Sequence, residues 1–141
     1  MGYREIVEAL HVRFRTVEGL ERAPLLTYEP TSIQSTPTLY TLLDRVDRGV
    51  AGQVQTASYR ILNRILFQWV DNERAEEELM PYVDSIPLAV EADPQLGGVI
   101  SSGIAKAPEV VAVFVRIGDT LYRALDVYVE VLDKRPYMRG V

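Results

Sequence analysis

The last third of the chain constrains its fold most. Residues 91–98 read EADPQLGG, and residues 110–133 read VVAVFVRIGDTLYRALDVYVEVLD. A turn with paired glycines thus precedes two alternating apolar runs joined at Gly118-Asp119, the pattern of a long β-hairpin. In its first strand Val111, Val113, Val115 and Ile117 point one way, and Val110, Ala112, Phe114 and Arg116 the other. In its second strand Leu125, Val127, Val129 and Val131 share a face, opposite Tyr122, Ala124, Asp126, Tyr128 and Glu130. Both faces carry apolar side chains, more than a chain this short is expected to cover. Such a sheet needs layers on both sides or another subunit.

The remaining chain supplies one covering layer. Tyr3, Ile6, Val7, Leu10 and Phe14 recur at helical spacing and predict an amphipathic helix ending near Gly19. His11 borders its apolar stripe. It is the only histidine, so a His-based metal site or a Ser-His-Asp triad has no further support, and a structural role is expected. From Glu21 to Thr38 the chain holds Pro24, Pro30 and Pro37 and reads as an extended connector, with a short strand at Leu25–Tyr28. Leu39–Val46 predicts a strand. Asp47–Thr56, with Gly49 and Gly52, predicts a flexible loop.

Tyr59–Val70 fits two periods. Ile61, Leu62, Ile65, Leu66 and Trp69 suit a helix. Tyr59, Ile61, Ile65, Phe67 and Trp69 suit one face of a strand, broken only by Asn63, and β-branched and aromatic content favours the strand. Asp71 or Asn72 then makes a good N-cap. Glu73, Glu76, Glu77 and Glu78 follow, stabilised near a helix N-terminus rather than gathered for a metal. Leu79, Val83, Ile86 and Val90 continue the helical spacing. Pro81 and Pro87 predict a kink or two shorter helices. The expectation is one α+β domain over residues 1–141. A mainly antiparallel sheet of four strands, or slightly more, has two main helices packed on one face. Phe114, Tyr122 and Tyr128 are expected on the other face as the subunit interface, and residues 134–141 as a flexible tail.

Composition excludes several classes. With 48% hydrophobic and 25% charged residues the chain has the balance of an ordered domain. No apolar run nears the roughly 20 residues that span a bilayer. MGYREIVEAL lacks a signal-peptide core, so a cytoplasmic setting without membrane contact is expected. There are no cysteines, which removes disulfides and thiolate metal sites. A net charge of −5 disfavours tight nucleic-acid binding. Arginine outnumbers lysine thirteen to two, which suits planar pairing at interfaces and equally suits a GC-rich genome. No P-loop, GxGxxG or GxSxG is present. Ser101-Ser102 sit in a Gly-flanked linker. Asp126, Glu130 and Asp133 form a carboxylate series, but four residues along a strand is about 13 Å, too far for Asp126 and Glu130 to share a metal. No catalytic residue, cofactor or metal is expected.

Three segments carry a resemblance. They are the Tyr59–Trp69 pattern followed by NERAEEELMPYVDSI, the junction Glu91–Gly98, and the hairpin Gly118-Asp119-Thr120-Leu121-Tyr122-Arg123 with its apolar strand. Over residues 58–133, and more loosely the first helix, the chain resembles the tail terminator family of long-tailed bacteriophages. Pro81, Pro87 and the Pro-rich connector depart from the family pattern. The resemblance implies a strand at Tyr59–Trp69 and a homohexameric ring. That ring would cap the tail tube protein, stop its polymerisation and meet a head-tail connector protein. DNA would pass without specific binding. The protein would be made in the host cytoplasm and end in the virion tail. Arg45, Arg48 and Gln53, in the loop that the resemblance puts near the pore or docking face, are the candidate contacts with tube or head. A stopper or adaptor between portal and tail is the alternative within the same logic, and a small ligand-binding α+β protein or enzyme the alternative outside it.

Overall fold

The computed structural model describes residues 2–100 and 102–136. Among them are two α-helices, α1 (Tyr3–Phe14) and α2 (Asn72–Glu91), and a 3₁₀ turn at Leu96–Gly98. The strands are β1 (Leu25–Leu26), β2 (Thr38–Ala51), β3 (Val54–Gln68), β4 (Gly103–Ile117) and β5 (Thr120–Pro136). The fold is α+β. The sheet is five-stranded and open, in the order β1-β2-β3-β5-β4. Every pairing is antiparallel except the short β1–β2 contact, which is parallel. The fifth strand arises because Leu25 and Leu26 of the connector align with Leu39 and Tyr40.

The period-two patterns decide the layers. Tyr59, Ile61, Ile65 and Phe67 of β3 and Leu125, Val127, Val129 and Val131 of β5 are buried in one cluster with Ile6, Leu10 and Phe14 of α1 and Leu79, Tyr82, Ile86 and Val90 of α2. Both helices therefore lie on one face. Tyr59–Val70 resolves as strand through Gln68. Asn63, the polar residue that breaks its apolar face, is fully buried and bonded. It accepts from Thr41 Oγ1 at 2.9 Å and donates to the carbonyls of Val127 and Ile61. A buried amide is tolerated only with such partners.

Three expectations need correction. Asp47–Thr56 is not a loop. Its residues pair in register from Asp47↔Ser58 to Ala51↔Val54, leaving Gly52-Gln53 as a two-residue turn. Gly52 takes the positive φ of 61° that such a turn requires. Secondly, of the kink or two shorter helices expected, the two shorter helices are excluded: α2 is one helix of 20 residues. The Asp71 side chain caps it by accepting from the Arg74 amide at 2.8 Å. Burial of Leu79, Tyr82, Ile86, Ala89 and Val90 holds it together across Pro81 and Pro87. Thirdly, Lys134, Arg135 and Pro136 belong to β5, paired with Thr56, Gln55 and Val54. The rest of the expected tail lies outside the described residues.

The second face of the sheet is partly covered from within. Tyr40, Leu66, Ile117, Tyr122 and Ala124 form a smaller buried cluster, closed by Leu26 and Ile33 of the connector. At the β4–β5 turn, a Cβ added to Gly118 would lie 3.6 Å from the Thr31 carbonyl, so the connector reaches across to that turn.

Candidate assembly surface

The residues proposed from the sequence do not converge. Arg45 lies level with Arg60 on the second face, Arg48 level with Ala57 on the helix face, and Gln53 in the hairpin turn. Arg45 pairs with Asp47 at 3.2 Å, both about two-thirds exposed, a geometry of little energetic weight. Arg48 lines a cleft of about 370 Å³ with Tyr3, Tyr59, Asp133 and Arg135.

The aromatic trio also divides. Phe114 pairs with Arg123, and Arg123 pairs with Phe67 of the helix-side core, so Phe114 belongs to the helix face. Tyr122 and Tyr128 lie on the opposite face. The strand phase of β4 relative to β5 causes the difference. Val113 and Val115, not Phe114, stand beside Ala124 and Tyr122. Tyr122 is buried under the connector within the chain. Tyr128 is half-buried, with the Arg60 guanidinium 4.2 Å from its ring centroid. Neither is a free apolar surface. Phe114 is 52% exposed, flanked edge-on by Trp69 at 6.4 Å and capped by the Arg123 guanidinium at 4.5 Å.

Arginine pairing accounts for much of the remaining second face. Arg64 grips Asp126 with two bonds of 2.6 and 2.8 Å and also donates to the Tyr40 hydroxyl. The hydrogen bonds to Asp126 hold this guanidinium charged even more firmly than usual. Arg60 bridges Asp44 at 3.0 Å and Glu109 at 2.8 Å. On the helix face, Arg123 reaches Glu76 of α2 at 2.7 Å. The carboxylate series from the sequence is thereby dispersed. Asp126 faces Arg64, Glu130 stands level with Arg60, and Asp133 turns to Arg135 on the helix face. Among the described residues no group of three metal-ligating side chains forms. None of their helices is long and apolar enough to cross a membrane.

His11 is engaged in the interior. Its Nε2 lies 2.8 Å from Thr41 Oγ1. Thr41 gives its only proton to Asn63, so Nε2–H must be the donor to Thr41. Burial first, then the nearby Arg15 charge, lowers the imidazole pKa to about 4. The ring is neutral at pH 7 and links α1 to β2.

What the sheet leaves unsatisfied is its rim. Among the described residues the outer edge of β2 is occupied by β1 at Leu39 and Tyr40 alone. The outer edge of β4 is met near its start, where the Ala105 amide donates to the Pro94 carbonyl at 2.7 Å. A register shift between Lys106 and Glu109, with Pro108 inside it, then interrupts the strand. Beyond this point, among the described residues, Val110–Ile117 runs to the turn with β5 on its inner side and no strand on its outer side. Its exposed side chains include Phe114 and Val111, and Trp69 and Val70 are exposed next to the same end of the sheet. Trp69 as part of this rim was missed from the sequence, because its periodicity placed it in the buried stripe of β3.

Comparison with known protein families finds no matching family model, and comparison with curated proteins finds no match.

Proposed function

We propose that this protein is a non-enzymatic virion subunit that assembles with copies of itself into a ring on the end of a bacteriophage tail tube. The ring stops tube growth and offers a new surface to the head. One observation supports self-assembly: the β4 edge, eight residues of apolar strand, stands open beside exposed Phe114 and Trp69. A largely apolar strand edge left bare invites pairing with another chain. The tail assignment and the six-fold number rest on the resemblance of residues 58–133 to tail terminators. The mechanism is geometric. A tube grows because each layer offers edges and apolar patches to the next, and a terminator satisfies them on one side only. No bond is made or broken, so the reading calls for no cofactor. The acidic balance of the chain suits a ring through which DNA must slide.

The test is deletion of the chain's gene from the phage that encodes it, followed by electron microscopy. Tails of uncontrolled length without heads are the expected result. Tails of normal length lacking only heads would assign the chain to the stopper or adaptor position between portal and tail. Normal infectious particles would remove both readings.

A further inference from the structure

We propose that the open segment of β4, Val110–Ile117, pairs antiparallel with the outer edge of β2, Arg45–Val50, in a second copy of this chain. The inference rests on the self-assembly reading and names the partner strand.

Strand direction carries the first part of the argument. Along β2-β3-β5-β4 every neighbour is antiparallel, so β2 and β4 run in opposite directions. Two copies set side by side in the same orientation therefore bring β4 of one antiparallel to β2 of the next. The alternation continues, with all helices on one side. This is a head-to-tail contact, the kind that closes into rings.

The backbone groups also match. Gly103 and Asp133 face each other while Lys134 donates to the Ser102 carbonyl. That is the pattern of a non-hydrogen-bonded pair, so the peptide groups of Gly103 point outward. Ala105 shares this phase, as its bond to Pro94 shows. Beyond the register shift the outward residues are those on the same face: Val110, Ala112, Phe114 and Arg116. On β2 the Leu39 amide points outward to the Pro24 carbonyl. Past the irregularity at Asp44, the outward residues on that face are Val46, Arg48 and Val50. Facing residues in an antiparallel ladder exchange bonds when both lie on one face and both point toward each other. Here both conditions hold, and Phe114 comes beside the side chains of Val46 and Val50.

The two edges are blocked at opposite ends. β1 closes β2 near Thr38, and Pro94 with the shift at Pro108 closes β4 near Gly103. Within one sheet Val113 is level with Thr38, through Ala124 and Leu66. Only copies staggered along the strands bring the two open segments together, and a stagger is what a closed ring of tilted strands uses.

Proline substitutions at outward positions test the pairing, because they remove an amide that the chain's own ladder does not use. Ala112→Pro and Arg116→Pro alter β4, and Arg48→Pro alters β2. Subunit mass is measured by light scattering across concentration, with circular dichroism to verify folding. Each folded variant is expected to raise the subunit dissociation constant at least tenfold. Folded variants that assemble like the unaltered chain would overturn the pairing and leave self-assembly standing. Loss in the β4 variants alone would exclude β2 as the partner strand. An unaltered chain that stays monomeric at all concentrations would remove both. If the proline variants do not fold, single cysteines decide, against a cysteine-free background. Mixing Phe114→Cys and Arg48→Cys chains, whose thiols the pairing sets opposite each other, should give mainly mixed disulfide dimers, whereas Phe114→Cys dimers alone would show a two-fold β4–β4 contact and overturn the proposal.

Discussion

At the residue scale, two polar groups inside the fold make opposite demands on their surroundings. His11 has a folded pKa of about 4, below its ordinary value of 6.5. Between these values the unfolded chain binds the extra proton, so stability rises with pH across the window. The contribution of neutral His11 is complete above pH 6.5 and is lost as pH falls toward 4, at up to about 1.4 kcal/mol per unit. Denaturation midpoints at pH 7, 5.5 and 4.5 should therefore fall less steeply in His11→Gln than in the unaltered chain. Asp126 is the reverse case, a buried charge that needs its partner. Asp126→Ala leaves Arg64 partly buried and unpaired, and should cost roughly 3 kcal/mol. Replacing both, as Arg64→Met with Asp126→Leu, should recover most of that loss in thermal melts, since two apolar side chains need no desolvation.

At the element scale, the start of β4 depends on a residue without a side chain. Gly103 has φ 146°, and a Cβ there would run into the Leu132 carbonyl. Neither strain can relax without parting β4 from β5. Gly103→Ala should cost about 1–3 kcal/mol. It should also speed hydrogen exchange at Ile104–Lys106 more than in β3. Equal protection at both places would show that the chain absorbs the change elsewhere. The connector has the opposite character. It has little regular structure, yet Ile33 and Leu26 close the second cluster over Tyr40 and Tyr122. Its contribution lies in packing, which explains why its composition alone suggested only a link.

At the scale of the whole molecule, Phe114 and Tyr128 separate two sources of association. Phe114 is half-exposed beside a bare edge, whereas Tyr128 is covered by Arg60. Phe114→Ser should weaken self-association roughly tenfold, the worth of about half a buried aromatic side chain, and leave the monomer's melting temperature nearly unchanged. Tyr128→Asp should change association less, because Arg60 already stands over the ring and can pair the new charge. Sedimentation of the two variants against the unaltered chain distinguishes them, and equal effects would return the second face to consideration as an interface.

The sequence by itself determined the α+β class, the places of both helices and the Gly118-Asp119 hairpin, and it favoured strand over helix for the apolar stripe of β3, because period and turn chemistry are local properties of the chain. It also located Asn63 as the odd residue of that stripe. Tertiary structure decided the rest. The phase between β4 and β5 depends on long-range pairing, and it moved Phe114 to the helix face away from Tyr122 and Tyr128. Pairing likewise turned the glycine-containing Asp47–Thr56 segment into strand, since ladder bonds outweigh the weak local preference of Gly49 for a loop. Burial carried α2 through two prolines. The paths of Arg60 to Glu109, Arg64 to Asp126 and Arg123 to Glu76, carboxylates 47 to 62 residues away, have no trace in local sequence, because ion pairs form between neighbours in space. For the same reason the bare rim of β4 became visible only when the strand order placed that strand last in the sheet.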